Sequence, residues 1–350
     1  MLLLILNACD NSTDSVNSTS DITESDWLIP VNQIVDGGPG KDGIPSLDNP
    51  SFIPASEADY IPDSRMVIGL KIGDEVRAYP HQIMDWHEIV NDEVDGKHIA
   101  LNFCPLTGTG KAWNRVVNGK VTEFGVSGLL FRNNLIMYDR NTESNWSQMQ
   151  LRSVNGDLSR QPAEVYTVVE TTWEIWKEMY PESEVLSLDT GFSRDYSGFA
   201  YRSDFSTNDN SILFPIQNND NRLDRKDRVL GVIDSEVADS DATVRTYPID
   251  QFGEGINVIQ DQLGTNNYVV VGSSSSNISA AFINNSQTEF TAVQNELPIV
   301  MEDADGNHYD IFGVITDGSN EGQRLESARS YTGYWYGWAD FFPNISIHGN

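Results

Sequence analysis

From position 66 onward, apolar positions come in short runs separated by two-residue breaks. Residues 67–72 and 75–79 flank Gly73-Asp74, residues 89–94 and 97–103 flank Asp95-Gly96, and residues 111–117 and 120–126 flank Asn118-Gly119. Gly beside Asp or Asn accepts the positive φ angles of a tight turn, so this spacing predicts three antiparallel hairpins. Residues 135–138 predict a further strand. Residues 172–180 (TWEIWKEMY) carry apolar side chains at helical spacing and stop at Pro181, which predicts a short helix. Upstream, residues 26–65 are rich in Pro, Gly and Asp and read as an extended arm without regular secondary structure.

The pattern then recurs. Residues 66–80 (MVIGLKIGDEVRAYP) are echoed by 229–248, and residues 92–115 by 261–284. Trp173, Trp176 and Pro181 are echoed by Trp335, Trp338 and Pro343. Strands are expected at 229–233, 243–247, 268–271, 280–284, 298–302 and 308–312, with a short helix at 333–342. The expected class is a β-rich α+β protein. It is read as a tandem internal duplication of a mainly antiparallel β unit with a short helix per repeat. The boundaries are 66–203 for the first repeat, 204–227 for a connector and 228–350 for a second, degenerate repeat. Overlaid, Cys104 falls opposite Ser273 and His87 opposite Ile256, so reactive residues stand in one copy only.

The Asp95-Gly96 turn permits a register. A two-residue loop pairs Val94 with Lys97, and counting outward places His87 opposite Cys104. Val90, Val94, Ile99, Leu101 and Phe103 share the other face, the expected core. Cross-strand neighbours lie about 5 Å apart at Cβ. Imidazole beside a thiol favours a nucleophilic thiolate, and the same pair suits a transition metal, copper or zinc, with Met137 a conceivable third, soft ligand. The alternative is that Cys104 is a small buried apolar side chain with His87 a hydrogen-bonded neighbour. The loop Cys104-Pro105-Leu106-Thr107-Gly108-Thr109-Gly110 follows directly, and Ser273–Ser276 occupies its place in the second copy.

Charge removes one class of partner. The 350 residues include 52 acidic and 22 basic side chains, a net charge of −30, which would repel nucleic acid. The acids are dispersed, as on a solvated surface. Only two cysteines occur, Cys9 and Cys104. Leu6-Asn7-Ala8-Cys9 ends a short apolar stretch and resembles a bacterial lipobox, although Asn7 is unusual there and no basic segment precedes it. A polar tether, residues 10–25, follows. Residues 1–25 are therefore expected to be signal and tether, with Cys9 lipidated and the protein held at a membrane surface of the cell envelope. Cys104 is then the remaining thiol, without an internal disulfide partner.

Three other motifs weaken on inspection. Asp303-Ala304-Asp305-Gly306-Asn307 has Gly at the fourth rather than the sixth place of a calcium loop, and no Glu at the twelfth, so a hairpin turn is the better reading. Gly108-Thr109-Gly110-Lys111 lacks the upstream Gly and the following Ser or Thr of a phosphate loop. Glu143 with Glu88 or Asp139 could be an acid pair, but no spacing fixes their separation.

Four blocks in order carry a resemblance: residues 86–92 (WHEIVND), 104–109 (CPLTGT), 124–130 (FGVSGLL) and 137–148 (MYDRNTESNWSQ). They resemble the bacterial domain of unknown function 3179 family, and the likeness runs from about residue 44 to the C-terminus. The resemblance implies an exported or lipid-anchored protein and supplies no mechanism. Family members commonly carry a second Cys in the loop, where this chain has Thr107, so an internal dithiol cycle is ruled out here. Two functional expectations follow. One is a Cys104/His87 site for a transition metal, copper before zinc, or a reactive monothiol. The other is a non-enzymatic scaffold that binds a ligand or partner in the groove between the repeats.

Overall fold

The computed structural model describes residues 26–198, 200–318 and 320–349. The described residues are β-rich, with three seven-residue helices among them: α1 (His81–His87), α2 (Trp173–Met179) and α3 (Trp335–Phe341). The first predicted hairpin forms as Met66–Ile72 against Glu75–Pro80, with Ile72 opposite Glu75 around Gly73 (φ 56°). The strand Val168–Thr172 pairs antiparallel with the outer side of Met66–Ile72, and Glu184–Leu186 pairs parallel with Glu75–Pro80. A second sheet repeats this plan. Ser330–Tyr334 is antiparallel to Arg228–Ile233, which is antiparallel to Val244–Pro248, and Ser346–Ile347 is parallel to the last.

Each of these sheets is followed by a three-strand meander. In the first half it is Ile89–Val94, Lys97–Cys104 and Thr109–Asn114, and in the second Asn257–Leu263, Asn266–Ser273 and Ile278–Ile283. A further five-stranded sheet, from Ile34–Asp36 through Arg152–Asn155, belongs to the first half alone. The match extends to side chains. Arg77 Nη1 lies 2.7 Å from both oxygens of Asp92, which also accepts from Tyr79 at 2.7 Å. Arg245 Nη1 holds Asp261 in the same way at 2.7 Å, with Tyr247 donating at 2.6 Å. Both clusters tie the first hairpin of a half to its meander.

Several sequence expectations change. The arm at 26–65 contributes two short strands, Ile34–Asp36 and Phe52–Pro54, each hydrogen-bonded at a sheet edge. A Pro/Gly-rich segment can do this because an edge strand needs only one side of its backbone. The Asn118-Gly119 turn closes a two-residue ribbon, Val116–Val117 with Lys120–Val121, not a long hairpin. The helix α1 and the strand Asn257–Leu263 were not expected at all. Helix α1 is two turns long, too short for periodicity to register. The strand NVIQDQL is half exposed and has few apolar residues.

The predicted apolar face of the Asp95-Gly96 hairpin is buried: Val90, Val94, Ile99, Leu101 and Phe103 share a core with Ile68, Leu70 and Tyr79. Its opposite face is buried as well, since Ile89, Ala100 and Cys104 pack into a second core with Trp113, Met137 and Trp146.

Candidate functional site

The ladder of this hairpin keeps the expected register from Val94–Lys97 to Ile89 opposite Asn102, and there it stops. Residue 88 adopts a left-handed conformation (φ 57°) that caps α1, so His87 is the last residue of a helix and is not opposite Cys104. The Glu88 carbonyl accepts from Phe103 N at 2.7 Å, which closes the hairpin one residue early. The His87 ring is spent elsewhere: Nδ1 is 2.8 Å from the Pro45 carbonyl and Nε2 is 2.6 Å from the Tyr196 hydroxyl. Burial lowers its basicity.

Cys104 is 1% exposed, and its thiol points to the Asn133 carbonyl at 3.7 Å. Burial, with the nearby Glu88 carboxyl, pushes the thiol pKa up, which keeps the proton on sulfur. Met137 is buried in the same apolar core, on the strand Asn134–Asp139, opposite Val126 and Trp146. Among the described residues no group of three or more His, Cys, Asp or Glu side chains is placed to hold a metal ion. Cys9 lies outside the described residues.

The loop after Cys104 is tied down by a buried polar network. Asn134 Nδ2 donates to Thr107 Oγ1 (2.9 Å) and to Gln148 Oε1 (2.7 Å). Thr109 Oγ1 donates to the same Gln148 oxygen (2.7 Å), and Gln148 Nε2 donates to Asn102 Oδ1 (2.9 Å). A hydroxyl at position 107 fits this network, with Thr109 Oγ1 3.0 Å away.

Around this loop lies a cleft of about 280 Å³. Its walls are α1, the Pro105–Gly108 turn, the Val168–Thr172 strand, the connector around 201–207, and Arg228 and Tyr334 of the second half. Glu170 sits on its floor. The carboxylate accepts from Gly110 N at 3.2 Å and from Arg228 Nη2 at 3.2 Å, and lies 3.2 Å from His81 Nε2, out of line for a good hydrogen bond. Burial pushes this carboxyl up, but His81, Arg228 and the Gly110 N–H outweigh it and hold the group below the usual carboxylate range. The His81 ring lies against Phe103, with ring centres 4.2 Å apart.

One turn along α1, burial drives Asp85 up to about 6 against the opposing charges of His81 and Arg65. Lys226, packed over Phe205 (3.7 Å) and Tyr334 (4.5 Å), is brought down by burial to about 8. Asp85 thus stands one helical turn from His81 on the wall of this cleft.

His81, Asp85, Glu170 and Arg228 were not among the residues expected from the sequence. The comparison of halves that singled out Cys104 also applies to three of them. Counting from the matched Pro80 and Pro248, His81 stands opposite Ile249 and Asp85 opposite Gly253. Counting from Trp173 and Trp335, Glu170 stands opposite Thr332.

No curated protein and no solved structure matches the chain. Residues 41–345 match the family model described as protein of unknown function (DUF3179), and the chain belongs to that family.

Proposed function

We propose that the protein binds a small anion, a carboxylate or phosphate, in the cleft between its two halves. The observation that carries this reading is an inverted charge balance. A chain with 52 acidic and 22 basic residues lines this cleft with Arg65, Arg202, Arg228 and His81 against Asp85 and Glu170, with Arg228 paired to Glu170 and Arg202 to Asp204. A positive concavity on an acidic protein concentrates anions. Asp85, raised to about 6 by burial, would exchange a proton with whatever is bound. The cleft draws residues from both halves, which agrees with the scaffold expectation, and the buried, protonated Cys104 disfavours a thiolate or copper centre.

The test is thermal unfolding of the full chain with succinate, citrate or inorganic phosphate, against Arg228→Met and Arg202→Ala. A ligand at a hundredfold excess over its Kd adds about 2.7 kcal/mol. One of these anions is expected to raise the melting temperature of the parent and to do so less in both variants. Arg202 is exposed and ion-paired with Asp204 at 2.9 Å, so its removal changes the charge of the cleft without disturbing the core. Equal shifts in parent and variants, or no shift in the parent, would overturn the reading. Labelling of Cys104 by a thiol reagent faster than the protein unfolds would instead restore the thiol reading.

We further propose that the two halves descend from a tandem duplication, supported by the shared strand order and the paired Arg–Asp–Tyr clusters. Finally, we propose that Cys9 is lipidated and anchors the protein to the cell envelope through the polar tether. Detergent-phase partitioning of the expressed full chain is expected, and a Cys9→Ser variant that partitions identically would sink that idea.

A further inference from the structure

We propose that a second site, adjoining the anion cleft at Tyr201, takes a small alkylammonium ion, with its charge on the Glu88 carboxylate and its carbon chain among Leu106, Leu130 and Leu135. A cavity of about 80 Å³ lies beside Glu88. One water needs roughly 10–15 Å³ on this measure, so there is room for a short chain of carbons. Apart from Glu88 and Tyr201, its lining is glycine, proline and apolar side chains, with no basic group.

Glu88 is 6% exposed, and among the described residues its carboxyl has no hydrogen-bond or ion-pair partner. A buried carboxyl in that state is costly unless something else completes it. The backbone sharpens the point. Position 88 caps α1 at φ 57°, where Gly would sit without strain and this chain has glutamate.

The titratable groups facing Glu88 are Asp85 on α1, Cys104 on the Lys97–Cys104 strand and Tyr201 on the connector. None is a cation. Burial, helped by the Asp85 charge, raises the Glu88 carboxyl to about 8, so near neutrality it holds a proton. An arriving ammonium ion displaces that proton to the buffer and leaves a carboxylate–ammonium pair. The strongly acidic chain favours the approach of cations in general.

The experiment is calorimetric titration of the full chain with n-butylammonium chloride at neutral pH, in two buffers of different ionisation enthalpy. Saturable binding is expected, with release of about one proton per ligand. Glu88→Gln, folded by circular dichroism, is expected to bind at least about tenfold more weakly, as is n-butanol to the parent. Succinate, the probe of the cleft, is expected not to compete. Equal binding by Glu88→Gln, equal binding of n-butanol, competition by succinate, or no saturable heat in the parent would each overturn the proposal. Its failure leaves the cleft reading untouched, because the cleft is tested with anions and arginine variants.

Discussion

Glu88→Gln is expected to be more stable than the parent at pH 9 and little different at pH 5. The folded carboxyl sits at about 8 and an unfolded one near its ordinary value of 4.5. Between those values the native state holds a proton that the unfolded state has released. Parent stability therefore falls as pH rises from about 4.5 through about 8, and is not regained above it. Each unit of difference is worth about 1.4 kcal/mol, so the loss is on the order of 5 kcal/mol, a large part of the stability of a domain. An amide cannot ionise, so the variant lacks this slope. Asp85, raised to about 6 by burial, adds a smaller decline of the same sign in both proteins. Urea unfolding of parent and variant at pH 5 and pH 9 decides the matter. Parallel declines in the two proteins would show that Glu88 ionises in the folded state without penalty.

Gly69→Ala is expected to cost about 3 kcal/mol or more, or to prevent folding, and Gly231→Ala to do the same in the second half. A methyl group at 69 would come within 1.8 Å of Trp176 Cζ3, and one at 231 within 2.3 Å of the Trp338 ring. Neither ring can retreat. Trp176 is fully buried, donates to Ser183 Oγ at 2.9 Å, and packs against Tyr180 and Phe312. Trp338 lies against Tyr331 with ring centres 4.2 Å apart. Overpacking a filled core by one methylene costs about 1–3 kcal/mol, and more where nothing yields. Adding Trp176→Phe to Gly69→Ala makes space, so the double variant should recover part of the loss in a denaturation cycle. A Gly69→Ala protein within about 0.5 kcal/mol of the parent would show that the ring has somewhere to go.

These two sites show what kind of information the sequence holds. The Gly–Trp contact recurs at 69 with 176 and at 231 with 338, and the recurrence of the tryptophans in both halves was visible in the sequence. Hairpin turns at Gly73 and Asp95-Gly96 were legible because a positive φ requires particular residues at particular places. The register of the second hairpin was legible too, since a two-residue loop fixes every pair beyond it. What failed was its continuation to His87. A left-handed residue at 88 ends the ladder, and nothing in the residue type Glu announces that conformation.

By itself, then, the sequence determined the β-rich class, the antiparallel hairpins, the buried face of Val90, Val94, Ile99, Leu101 and Phe103, and a net charge of −30. These follow from local preference and from patterns of period two, which a linear chain displays directly. The tertiary structure alone decided which polar groups meet. It buried Cys104 away from the His87 nitrogens, and it brought Glu170 from one half to Arg228 from the other beside His81. Those contacts join residues 58 to 89 positions apart, and they depend on how sheets pack rather than on any local spacing. The charge state of Asp85 and Glu88 was settled in the same way, because burial, not residue type, moves a carboxyl toward neutrality.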